Sequence, residues 1–142
     1  GDPETQAVLP LMDFDFAAMC TAILNGSLKD FSFEWKPGYQ VAPVVVSGGY
    51  PGEYKKGIEI TFNDAILKAS TAKVFVAGAV SGRRGAGDML TSGGRVLACS
   101  AYGETFKEAW EKAYQGISAV KFDGAFYRKD IGLPGAAESG KL

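Results

Sequence analysis

One stripe of side chains near the end of the chain limits what it can fold into. Phe106, Ala109, Trp110, Ala113, Tyr114 and Ile117 recur at helical spacing, which gathers them on one apolar face of an amphipathic helix. Thr105 and Glu108 stand where a capping box would close the first turn. Such a face must be covered, and the runs around it read as a sheet. These are Val41 to Val46, Ile58 to Ile60, Lys73 to Ala77, Arg95 to Ala101 and an aromatic stretch from Phe122 to Tyr127. Phe31, Phe33 and Trp35 alternate with Ser32 and Glu34 and predict one more half-buried strand, closed at Pro37-Gly38. Pro43 inside its run marks an edge strand or a bulge, and Asn63 to Leu67 fits one helical turn.

Residues 1–26 read as helix. The spacing predicts a first helix from Pro3 to Met12, burying Ala7, Val8, Leu11 and Met12 and bent or ended by Pro10. A second runs from Phe14 to Leu24 with Phe16, Met19, Cys20, Ile23 and Leu24 inward, stopped by Asn25-Gly26. At the start, Asp2 can accept from first-turn amides, Pro3 presets φ for the first helical position, and Glu4 complements the helix dipole. A turn so well specified normally hangs from an upstream strand, so the chain reads as the back end of a longer protein. The class is α+β: a mostly antiparallel sheet with one long packed helix, behind two leading helices.

Composition narrows the chemistry. With 142 residues, 46% hydrophobic and a formal net charge of −1, the chain suits one globular domain and shows no general affinity for nucleic acid. No apolar stretch approaches the ~20 residues of a membrane-spanning helix. Histidine is absent, which excludes Ser-His-Asp and Cys-His arrangements within the chain and nearly excludes zinc. Carboxylates, basic side chains or backbone amides must serve any chemistry. Cys20 and Cys99 read as reduced core thiols, fitting a cytoplasmic address.

Four glycine-marked loops stand out: Gly1-Asp2-Pro3, Ser47 to Gly52, Ser81 to Gly87, and Thr91-Ser92-Gly93-Gly94-Arg95. The last is the best anion-site candidate. Adjacent glycines let backbone N–H groups approach an oxyanion, and Arg95 offers a planar fork suited to phosphate. A plain Gly-Gly hairpin turn with a surface arginine explains the same residues. Ser47 to Gly52 lacks a cation, and Arg83 and Arg84 read as a solvated basic loop.

As an ordered set the motifs say more. Gly1-Asp2-Pro3-Glu4-Thr5-Gln6 with Val8-Leu9-Pro10-Leu11, then Ser47-Gly48-Gly49-Tyr50-Pro51-Gly52 with Tyr54-Lys55-Lys56-Gly57, resembles the phosphoribosylamine–glycine ligases, also called glycinamide ribonucleotide synthetases. Thr91 to Leu97 and Phe126-Tyr127-Arg128-Lys129-Asp130-Ile131-Gly132 follow in the same order. The resemblance implies an ATP-grasp enzyme of purine biosynthesis. It joins glycine to 5-phosphoribosylamine through a glycyl phosphate, giving glycinamide ribonucleotide, ADP and phosphate, with ATP and Mg2+ as cofactors. In that family the ligands for both lie mostly before the Gly-Asp-Pro-Glu motif. No catalytic or metal residue is therefore assigned here, and the fragment alone is expected to be inactive.

By the same resemblance, residues 1–26 end the ATP-grasp domain, 27–132 form a C-terminal substrate-side domain, and 133–142 are a tail or linker. By analogy with related ATP-grasp enzymes, Arg95 with Ser92, Gly93 and Gly94 would receive the phosphate of phosphoribosylamine. Gly1, Asp2 and Pro3 would stand beside the acceptor pocket, where Asp2 either attracts an amine or caps its helix. Ser47 to Tyr50 is a candidate pocket wall. Val76 and Lys121 stand where relatives commonly carry histidine. The implied partners are the N-terminal remainder of the same protein and, as in some eukaryotes, a fused aminoimidazole ribonucleotide synthetase. Two alternatives remain: a carboxylase-like ATP-grasp C-terminal domain, or a non-catalytic module that binds a sugar phosphate or docks a partner.

Overall fold

The structure is a computed structural model that describes residues 1–82 and 87–133. Arg83, Arg84 and the tail from residue 134 onward lie outside the described residues. Along the chain run α1 (Glu4–Val8), α2 (Phe16–Leu24), β1 (Tyr39–Val41), β2 (Val44–Val46), β3 (Glu59–Phe62), α3 (Asp64–Ser70), β4 (Lys73–Val76), β5 (Ala79–Ser81), β6 (Met89–Thr91), β7 (Arg95–Gly103), α4 (Phe106–Ser118) and β8 (Val120–Lys121), with 3₁₀ turns at Leu9–Leu11 and Leu28–Asp30.

β7 is the centre. β1 and β2 both pair antiparallel along one of its edges, from Tyr39 opposite Gly103 to Val44 opposite Ala98, so they form one strand interrupted at Ala42-Pro43. Pro43 has no N–H to give, and its carbonyl accepts the Cys99 amide at 3.2 Å. β4 pairs antiparallel along the opposite edge, Lys73 with Ser100 through Val76 with Leu97. A second antiparallel sheet runs β5-β6-β3-β8. The α+β expectation holds, with every strand pair antiparallel.

Val96 to Ala101 are all buried, because β7 is covered on both faces. α4 takes one face with Ala109, Ala113 and Ile117, and Gly116 lets it close: a Cβ there would stand 2.6 Å from the Ala72 Cβ. α1 takes the other, where the Ser100 hydroxyl donates to the Gln6 carbonyl at 2.6 Å. The foreseen cap of α4 is present. Thr105 Oγ1 accepts the Glu108 amide at 3.2 Å, and the Glu108 carboxylate accepts the Glu104 amide at 2.9 Å.

Several expectations need correction. The opening helix ends at Val8, Leu9–Leu11 tightens to 3₁₀, and Met12 is extended and bridges Trp35. Val8 is exposed, not buried. α2 begins at Phe16 because the Asp15 carboxylate accepts the Ala17 and Ala18 amides at 2.8 and 3.0 Å. Phe16, Ile23 and Leu24 are exposed and Cys20 is half-buried, since no described element lies over that face. Phe31 to Trp35 is not a strand. Phe31, Phe33 and Trp35 instead set their rings edge-on to Phe14 at 5.7, 5.4 and 5.7 Å. Residues 122–127 do not form a strand: Asp123 and Gly124 make a turn, and Phe126 alone bridges Val46. The hairpin of β5 and β6, which flanks the Ser81–Gly87 connection, has no counterpart in the sequence reading.

Candidate functional site

The site begins with an irregularity in β7. Val44 faces Ala98 and Val45 faces Leu97, but Val46 faces Arg95, so one extra residue sits in β7 opposite the end of β2. Side chains alternate along a strand, and strict alternation would put Arg95 and Ser100 on opposite faces. The bulge re-aims Arg95 onto the face that Ser100 shares with α1. There its Nε lies 2.9 Å from Asp2 Oδ2, with the two side chains 44% and 31% exposed. Asp2 Oδ1 accepts the Gln6 side-chain amide at 2.8 Å. With its carboxylate so engaged, Asp2 does not cap α1; Pro3 is the N-cap and no side chain bonds the first turn. The Thr5 amide goes to the Gly1 carbonyl at 3.1 Å.

The Ser92–Gly94 turn also differs from its expected use. The Ser92 and Gly93 amides both donate to the Gly78 carbonyl, at 2.8 and 3.0 Å, so neither is offered to an oxyanion. Ser47, itself buried, donates its amide to the Gly94 carbonyl at 2.8 Å and its hydroxyl to the Gly93 carbonyl at 2.9 Å. The two turns thus lock together and fix the start of β7. Gly94 is required by close approach: any Cβ would overlap the ring of Tyr50.

Pro3 and Tyr50 line a cavity of about 320 Å³ with Val44, Val46, Phe126 and Arg128. Arg95 lines neither this cavity nor the one of about 480 Å³ at Gly48, Tyr54, Lys55 and Asp123. The two arginines among the described residues differ in use. Arg128 is forked onto Asp130, which raises its pKa and lowers that of Asp130. Arg95 meets Asp2 through Nε alone, and its Nη groups have no partner among the described residues. Of these two arginines, Arg95 is the one whose guanidinium keeps an open edge. Gly1 is exposed, with its amino group 3.8 Å from the Glu4 carboxylate.

The structure therefore gathers Asp2, Pro3, Gly94 and Arg95, with Ser92 and Gly93 as a clamp behind them. Gln6 and Ser100 escaped the sequence reading, and Ser47, read there as part of a pocket wall, is bonded to the Gly93 and Gly94 carbonyls. Of the first two, only Gln6 left a signal there: it lies four residues after Asp2, on the same helical face. Among the described residues no three His, Cys, Asp or Glu side chains gather to hold a metal, and no helix is long and apolar enough to cross a membrane.

The family described as "Phosphoribosylglycinamide synthetase, C domain" matches residues 40–134. The chain is 45% identical over 131 residues to a phosphoribosylamine–glycine ligase of Caldanaerobacter subterraneus subsp. tengcongensis, covering 92% of the chain and 30% of that protein. It is 46% identical over 131 residues to a bifunctional purine biosynthetic protein of Schizosaccharomyces pombe, of which it covers 16%. The crystal structure of phosphoribosylamine–glycine ligase from Thermotoga maritima superposes with a TM-score of 0.70 at 35% identity, over 92% of this chain and 31% of that one. The chain thus spans about 30% of the length of the single-enzyme relatives it matches. It belongs to the phosphoribosylglycinamide synthetase family, and what it carries is the family's C domain.

Proposed function

We propose that the protein containing this chain is an ATP-dependent ligase that joins glycine to 5-phosphoribosylamine, and that this chain supplies the wall gripping the acceptor's phosphate. The observation that carries the second part is the Arg95–Asp2 pair at 2.9 Å. It brings two turns, distant in sequence, to one solvent-reachable point and leaves a guanidinium edge without a partner among the described residues. A planar fork of N–H donors matches phosphate oxygens, and such charge-assisted bonds are the stronger kind. Holding the ribose phosphate there fixes the amine end of the substrate, so positioning is this chain's contribution to rate.

In this reading residues 1–26 belong with the nucleotide-binding half, 27–132 with the acceptor half, and 133–142 are a tail or linker. ATP and Mg2+ supply the phosphoryl group that activates the glycine carboxylate and the charge that offsets its transfer. Their ligands are placed in the preceding part, for which the greater length of the relatives leaves room. That part is seated on the exposed side of α2, where Phe16, Ile23 and Leu24 are uncovered. The reaction belongs to the cytoplasm, which fits two free cysteines.

The test joins the chain to its preceding part and measures consumption of phosphoribosylamine. Turnover that requires both ATP and glycine is expected. A folded full-length protein that turns over bicarbonate instead of glycine, or nothing, would contradict the reading.

A further inference from the structure

We infer that Gln6 is a positioning residue for the phosphate-gripping arginine, acting through Asp2. The inference rests on the acceptor-site reading of Arg95 given above. Gln6 is 9% exposed on a five-residue helix, a poor place for an amide unless its bonds matter. Its Nε2 donates to Asp2 Oδ1 at 2.8 Å. This orientation is dictated by chemistry, because the flipped amide would set Oε1 against a carboxylate. The other oxygen, Asp2 Oδ2, lies 2.9 Å from Arg95 Nε. The carboxylate is thus held from one side and holds from the other.

The anchor behind this relay is the sheet itself. The Gln6 carbonyl accepts the Ser100 hydroxyl at 2.6 Å, and that hydroxyl accepts the Gln40 side-chain amide at 2.6 Å. Arg95 and Ser100 both belong to β7, so Gln6 spans from the middle of the strand back to its first residue. Its Oε1 is buried without a hydrogen-bond partner among the described residues. An unpaired buried acceptor costs stability, so stability alone would favour an apolar side chain here. The donor half of the amide is what the site uses. Orienting Asp2 fixes the Nε edge of Arg95 before substrate arrives, and a guanidinium already oriented loses less freedom on binding phosphate.

The test uses the full-length protein with Gln6→Ala and with the better-packing Gln6→Leu, which fills the space if the first variant folds poorly. Both are compared with Arg95→Ala and with the double variants. The expected result is a rise of about three- to tenfold in the phosphoribosylamine KM, with kcat and the glycine and ATP KM values within about twofold of the parent. In the Arg95→Ala background the Gln6 substitution adds nothing further, because the group it positions is gone. An unchanged phosphoribosylamine KM in a folded Gln6→Leu variant, or penalties that simply add, would overturn the positioning role while leaving the acceptor site standing. If Arg95→Ala itself leaves that KM unchanged, the acceptor site falls and the role of Gln6 falls with it.

Discussion

At the scale of single residues, close approach decides more than charge does. Gly94 lies under Tyr50, so Gly94→Ala must push that ring off the turn preceding Arg95. The expected loss is about 1–3 kcal/mol of stability, read as a lower urea midpoint; an unshifted midpoint would show that the ring has room to yield. Cys99 is governed by burial, which pushes its thiol pKa up to about 12. It should resist iodoacetamide at about pH 8 until the chain unfolds, because the thiolate is the reacting form. Native labelling as fast as in denaturant would contradict this. The Gly93-Gly94 turn before Arg95 was legible in the sequence as a local pattern, but its use was not, because the Ser92 and Gly93 amides go to the Gly78 carbonyl. Gln6 was not legible as part of the site, because its importance arises only when Asp2, Arg95 and Ser100 meet across the sheet.

At the scale of elements, α4 is the clearest case of a segment that its own sequence specifies. Thr105→Ala removes the acceptor for the Glu108 amide and should cost ~1 kcal/mol, a change visible in thermal unfolding. Glu108 adds a pH dependence. The hydrogen bond from Lys112, then that from the Glu104 amide, holds its carboxyl below the ordinary 4.5. A carboxyl whose pKa falls on folding supports the fold above its ordinary value, and the support fades as pH drops through the lowered one. Glu108→Gln should therefore lower the urea midpoint at about pH 7 and lower it by less at about pH 3. A penalty equal at both would show that the charge is irrelevant. Other elements were misread, each for its own reason. Phe31, Phe33 and Trp35 have a strand's alternation, yet the edges of β7 are taken by β1, β2 and β4, so these rings close around Phe14 instead. The β5–β6 hairpin was hidden because each strand has three residues, too few to show a period.

At the scale of the whole molecule, the chain divides between a sheet whose central strand is covered on both faces and a helix covered on few sides. Phe16, Ile23 and Leu24 are 52%, 53% and 86% exposed, spaced as one apolar face of α2. The chain by itself should bind a hydrophobic dye, and Phe16→Lys with Ile23→Lys should remove most of that signal while leaving the melting temperature nearly unchanged. Dye binding that survives the pair would place the sticky surface elsewhere. The central claim, that this C domain grips the acceptor's phosphate through an arginine set by the opening turn, is tested most directly by steady-state kinetics of Arg95→Ala in the full-length protein. The account predicts a phosphoribosylamine KM raised about tenfold or more, with the glycine and ATP KM values close to the parent's. A phosphoribosylamine KM equal to the parent's would contradict it.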